Sequence, residues 1–126
     1  MKDANFHSHF GITKVKVSNN GKLVATGDNN KSVMVWDATT KELLIHTFVF
    51  HMSTIFDISW SADDKFLVSV SLDDSAIVWS IESKKRVRKF ACLDGEMTLT
   101  CDFISDKEII VGGCNCTPRI LSIYDN

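Results

Sequence analysis

Short runs of β-branched and aromatic residues alternate along this chain with clusters of Ser, Asp, Asn and Gly, a pattern that supports strands and excludes long helices. Ile55 to Trp60 predicts a strand, Ser61-Ala62-Asp63-Asp64 a turn, and Phe66 to Val70 a second strand. A tight turn over Ser71 to Ser75 leads to a third strand, Ala76 to Trp79. The polar stretch Glu82-Ser83-Lys84-Lys85 then precedes a fourth around Val87 to Ala91. Thr13 to Val17, Leu23 to Thr26, Val33 to Trp36 and Leu43 to Phe48 repeat this rhythm earlier in the chain.

The rhythm is an internal repeat. SNNGKLVATGDNNKSVMVWD (Ser18 to Asp37) and SADDKFLVSVSLDDSAIVWS (Ser61 to Ser80) align without a gap, and Trp36 and Trp79 lie 43 residues apart. Ser18/Ser61, Lys22/Lys65, Ser32/Ser75 and Val35/Val78 coincide. A weaker third copy runs from Phe103 to Asp125, with Tyr124 expected in the tryptophan's place, Gly112 in place of the second-strand serine, and Cys116-Thr117-Pro118 in place of the turn aspartate. Self-similarity at about 40–45 residues with four strands per unit predicts an all-β fold of β-propeller blades. The expected blades cover about 9–48, 51–91 and 94–126, the last without a fourth strand of its own.

Phe6-His7-Ser8-His9 resembles Phe48-Val49-Phe50-His51, so the chain is expected to open on the tail of a fourth strand. Two arrangements give that pattern. A ring can complete its last blade with its own N-terminal strand, or the chain can be the C-terminal part of a longer one. Propellers have about four to eight blades and repeats bury their faces only against neighbours. The three blades are therefore expected to join further blades of the same longer chain or a homodimer partner, with the former favoured.

Composition narrows the functional classes. A chain of 126 residues, 44% hydrophobic and 24% charged with one proline, is globular rather than disordered. A net charge of −2 provides no global field for nucleic acid. No apolar run approaches the roughly 20 residues that span a bilayer, and MKDANFHSHFG lacks the apolar core of a secretory signal. Cytoplasmic location and free thiols are the expectation.

These repeats resemble the WD-repeat family over almost the whole chain. In that family a histidine, a Ser or Thr, an Asp and the third-strand Trp form a hydrogen-bonded tetrad. The resemblance places it on His51, Ser69, Asp73 and Trp79, and, with Asn for Asp, on His9, Thr26, Asn30 and Trp36. A buried indole N–H and a buried imidazole both need partners. FVFHMSTIFDISWS and LVSVSLDDSAIVWSIESKKR further resemble an actin-interacting branch of the family. That resemblance implies a non-catalytic scaffold for actin and cofilin that promotes filament disassembly. A WD scaffold in ubiquitin ligation, RNA processing or ciliary transport stays open beside it.

Reactive chemistry is less supported. The Ser, His and Asp residues repeat blade by blade and lack a G-x-S-x-G turn, which favours a structural role over a hydrolase triad. Cys114-x-Cys116 with Cys101, and Cys92 a strand away, does not match the paired spacing of structural zinc. No metal and no cofactor is implied. The resemblance implies docking on the propeller's narrow face, which by register would use Thr13, Phe56 and Leu99 at the starts of first strands, and Asn29, Leu72 and Thr117 in the turns before third strands. Phe56 and Leu99 are equally readable as filling gaps between blades. Lys84, Lys85, Arg86, Arg88 and Lys89 form the densest charge cluster, either a solvated outer strand or a patch for an acidic partner.

Overall fold

The computed structural model describes residues 11–90, 98–113 and 118–124, which form three antiparallel sheets. The first contains β1 (Ile12–Val17), β2 (Leu23–Asp28), β3 (Val33–Asp37) and β4 (Leu43–Phe48). The second contains β5 (Ile55–Trp60), β6 (Phe66–Ser71), β7 (Ala76–Ser80) and β8 (Lys85–Phe90). The third contains β9 (Thr98–Phe103), β10 (Glu108–Gly113) and β11 (Arg119–Ser122). Strands pair in sequence order within each sheet. β8 begins two residues before the expected fourth strand, in the lysine-rich stretch read as polar lead-in.

The 43-residue period extends to the backbone. The positive-φ residues form three pairs at that spacing: Gly21 and Asp64, Lys31 and Asp74, Lys41 and Lys84. Turn hydrogen bonds repeat with them, as in Asn29 N–H to Gly11 O and Leu72 N–H to Thr54 O, both 3.0 Å. Each blade also carries one link of the same kind: the N–H groups of Ala38, Ile81 and Ile123 donate to the carbonyls of Lys22, Lys65 and Lys107.

That last link corrects the alignment of the third repeat. Ala38 and Ile81 follow Trp36 and Trp79 by two residues, so Ile123 assigns the tryptophan's place to Leu121. Strand register agrees: Trp79 pairs with Leu67, and Leu121 with Ile109. Tyr124 lies beyond β11 and is exposed. The turn between β9 and β10 is one residue shorter than its counterpart between β5 and β6, which moves the register. The serine's place accordingly falls on Val111, not Gly112.

Apolar burial is concentrated between blades. Val33, Val35, Ile45 and Phe48 of the first sheet pack with Ile55, Ile58, Trp60, Leu67 and Trp79 of the second. Val68, Val70, Ala76 and Val78 on the second sheet's other face pack with Cys101, Ile109 and Val111 of the third. Ile55, Ile58 and Trp60 are 0, 0 and 7% exposed because the first blade covers them, whereas their equivalents Ile12, Val15 and Val17 are 38, 54 and 57% exposed. Ile120, which pairs with Ile110 as Val78 pairs with Val68, is likewise open at 58% against 0%. Both flanks present faces of the type that is buried between adjoining blades.

Candidate interaction surface

His51, Ser69, Asp73 and Trp79 converge in the second blade. Trp79 Nε1–H donates to Ser69 Oγ at 2.8 Å, and that hydroxyl lies 2.7 Å from His51 Nε2. On the other side of the ring, His51 Nδ1 lies 3.2 Å from Asp73 Oδ2 and 3.0 Å from Ser75 Oγ. Asp73 also accepts the N–H groups of Met52 and Ser75. Burial opposes its ionisation, but the hydrogen bonds from His51, Ser75 and Met52 outweigh that and hold the carboxyl well below the usual carboxylate range.

The connectivity Ser69–His51–Asp73 is that of a hydrolytic triad, but its environment is not. Ser69 and His51 are buried, and the serine oxygen already receives the Trp79 indole N–H. A nucleophile needs an exposed oxygen and room for a substrate carbonyl; this one is enclosed by its own blade.

In the first blade Trp36 Nε1–H donates to Thr26 Oγ1 at 3.0 Å, while His9 lies outside the described residues. Asn30 is exposed, and Asp28 Oδ1 accepts the turn N–H groups of Asn30 and Ser32. The carboxylate of this turn has moved two residues back, and Asn30 contributes its backbone.

The inner strands carry a polar seam that the sequence reading did not single out. Lys14, Asp57 and Thr100 occupy equivalent places on β1, β5 and β9. Asp57 Oδ2 accepts Thr100 Oγ1–H at 2.9 Å and Cys101 N–H at 3.0 Å, and Lys14 Nζ lies 3.7 Å from Asp57 Oδ1. Next along the strands, Ser59 Oγ–H donates to Asp102 Oδ1 at 2.6 Å. A cleft of about 340 Å³ opens against Lys16, Asp57, Ser59, Thr100, Asp102 and Ile110. Burial, reinforced by Asp57 and Asp102, pushes the Cys101 thiol well above its ordinary pKa, so it is an inert core group. Among the described residues no cluster of His, Cys, Asp or Glu has the arrangement of a metal site, and Cys92, Cys114 and Cys116 lie outside them.

Four of the six expected rim residues have described side chains. Thr13 is exposed but donates its hydroxyl to Ile55 O at 2.6 Å. Phe56 is half-buried and packs against the core between the second and third blades, as the gap-filling reading required. Asn29 and Leu72 are exposed in equivalent turns. Thr117 and the Leu99 side chain lie outside the described residues. The basic residues stand on the outermost strand and the turn before it. Lys84, Lys85 and Arg86 are exposed, and Arg88 and Lys89 half-buried. Arg86 lies 4.7 Å over the Phe50 ring, and Arg88 lies 5.0 Å over Phe90.

The family model described as WD domain, G-beta repeat matches residues 3–37 and 42–80, more than half of the chain. This chain belongs to the WD-repeat family. Similar WD-repeat folds include the Cps50 (Swd1) β-propeller domain of Myceliophteria thermophila, with a TM-score of 0.85 at 19% identity, covering 94% of this chain and 38% of that one. The C-terminal WD40 domain of Sif2 gives a TM-score of 0.80 at 22% identity, covering 90% and 32%. Among curated relatives, an uncharacterized WD repeat-containing protein of Schizosaccharomyces pombe is 27% identical over 115 residues, 89% of this chain and 19% of its own length. Protein HIRA of Dictyostelium discoideum is 33% identical over 63% of this chain and 8% of its own. Actin-interacting protein 1 of Caenorhabditis elegans is 36% identical over 56% of this chain and 12% of its own. The WD repeats here thus span a small part of each relative's length.

Proposed function

We propose that this WD-repeat chain is a non-catalytic protein-interaction scaffold that acts in the cytoplasm on actin and cofilin to promote filament disassembly. The carrying observation is the burial and mutual saturation of the Ser69–His51–Asp73–Trp79 network. Polar groups of this kind hold a blade rigid and leave recognition to the surface. The actin arm draws on the 36% identity to actin-interacting protein 1. The 33% identity to Protein HIRA favours a second reading, a scaffold subunit of a different complex, with ubiquitin ligation, RNA processing and ciliary transport among the settings.

The open apolar flanks take further WD-type blades, from the same longer chain or a second copy. Light scattering separates these: a closed dimer means a second copy, and an aggregating monomer means blades supplied in cis. Cosedimentation with actin filaments, with and without cofilin, tests the partner. Pelleting with cofilin-decorated filaments is expected. Failure to pellet, with co-purification of ligase or splicing subunits, transfers the scaffold to the second reading.

A further inference from the structure

A groove of about 410 Å³ runs between the outer edges of the first two blades, lined by Thr47, Phe50, Lys84, Lys85 and Arg86. Three of these five are cations and none is a carboxylate. Its wall is an aromatic stack: Phe50 lies 6.0 Å from the Trp79 ring at 27°, and the Arg86 guanidinium sits 4.7 Å over the outer ring. Phe50 remains 48% exposed, so its surface is available beside the charges.

Lys84 repeats Lys41 of the first blade, but the WD framework does not require the arginines. Leu43 and Arg86 hold the same register place, each opposite its blade's tryptophan, and Ile45 and Arg88 are matched opposite Val35 and Val78. The first blade closes with aliphatic residues where the second uses arginine. In a chain of net charge −2, concentrating cations on one strand beside an open ring creates local complementarity to acid.

We propose that this groove docks an acidic segment of a partner protein. Asp or Glu side chains engage Lys84, Lys85 and the free edge of Arg86, and a neighbouring apolar or aromatic side chain lies on Phe50. The open ring favours a peptide over an inositol phosphate headgroup, which would use the cations and leave Phe50 bare. This deepens the scaffold reading and rests on it.

Fluorescence anisotropy of the whole chain with a labelled Glu/Asp-rich peptide carrying one central Phe tests the proposal. Binding that weakens steeply with salt is expected. So is a loss of about 10-fold or more in the Lys84→Glu/Lys85→Glu double variant, whose thermal midpoint stays near wild type because both side chains are exposed. Replacing the peptide's Phe by Ala is expected to weaken binding. Equal binding by the double variant, no binding by wild type, or tighter binding to phosphatidylcholine vesicles containing phosphatidylinositol bisphosphate than to the peptide overturns it. Parallel actin cosedimentation keeps the two readings apart. A wild type that pellets with filaments but ignores the peptide loses the groove and keeps the scaffold; the opposite result loses actin and keeps the groove.

Discussion

Asp57 and Thr100 occupy the same place on neighbouring inner strands and are hydrogen bonded at 2.9 Å, so one carboxylate joins the second blade to the third. Cys101 N–H adds a second bond to the third blade, and Lys14 Nζ extends the link to the first. Asp57→Ala leaves the Cys101 N–H in a buried setting without its acceptor. The expected loss is about 1–3 kcal/mol in urea unfolding. Hydrogen exchange checks the location: β9 and β10 amides should exchange faster, while β2 and β3 amides change less.

Ser69 is the joint of the second blade's network, since both Trp79 and His51 depend on its oxygen. Ser69→Ala orphans two buried polar groups at once. It is expected to cost about 1–3 kcal/mol by denaturant unfolding, whereas Ser69→Thr retains the hydroxyl and recovers part of the loss. A variant as stable as wild type would show that the network does not hold the blade.

Much of this architecture was legible because each blade repeats its chemistry at one spacing. Trp36 and Trp79 fixed the period, and the resemblance to the WD-repeat family placed the tetrad on His51, Ser69, Asp73 and Trp79. The third repeat was harder, because a turn shortened by one residue moves every later position. Tyr124 looks like the missing aromatic in the sequence, yet backbone register assigns that place to Leu121. Asp57 was passed over for another reason. Its partner Thr100 lies on the next blade, and contacts between repeats leave no mark in the spacing within one. Asp28 could have been found: an aspartate two residues before Asn30 offers the Asx-type turn acceptor that Asn30 was expected to supply.

Lys31 adopts φ 73°, a left-handed conformation that costs a β-carbon-bearing residue about 1–2 kcal/mol. Lys31→Gly removes that strain and gives back part of it through the greater freedom of glycine in the unfolded chain. A net gain of about 0.5–1 kcal/mol is expected in denaturant unfolding. Gly21→Ala, at φ 75°, should move the other way.

The lowered pKa of Asp73 sets an acid limit on stability. Its folded value lies below the ordinary 3.8, so the network's contribution is complete above that pH and is lost as pH falls through the folded value. Unfolding free energy should therefore decline below about pH 4. Asp37 and Asp63, held low chiefly by backbone N–H bonds from Thr40 and Lys65, contribute in the same direction. The difference between wild type and Asp73→Asn isolates the tetrad: it should shrink as the solution is acidified. A constant difference from neutral pH to pH 2 would contradict the assignment.

Gly27 marks the closest approach between the first two blades. A β-carbon there would stand 2.5 Å from Ile55 Cγ2 and 2.9 Å from its Cβ, distances that van der Waals contact does not permit. Ile55 cannot yield easily. It is fully buried in the core shared by the two sheets, beside Ile58 and Trp79. Gly27→Ala is expected to cost about 1–3 kcal/mol through this overpacking, and to push β2 away from β5 rather than distort either sheet internally. Pairing Gly27→Ala with Ile55→Ala tests the cause. Alanine at 55 removes the Cγ2 that would stand 2.5 Å away, so the double variant should be destabilised by less than the two single costs added together. Strict additivity would mean that the glycine is needed for its own backbone conformation and not for the packing of blade on blade.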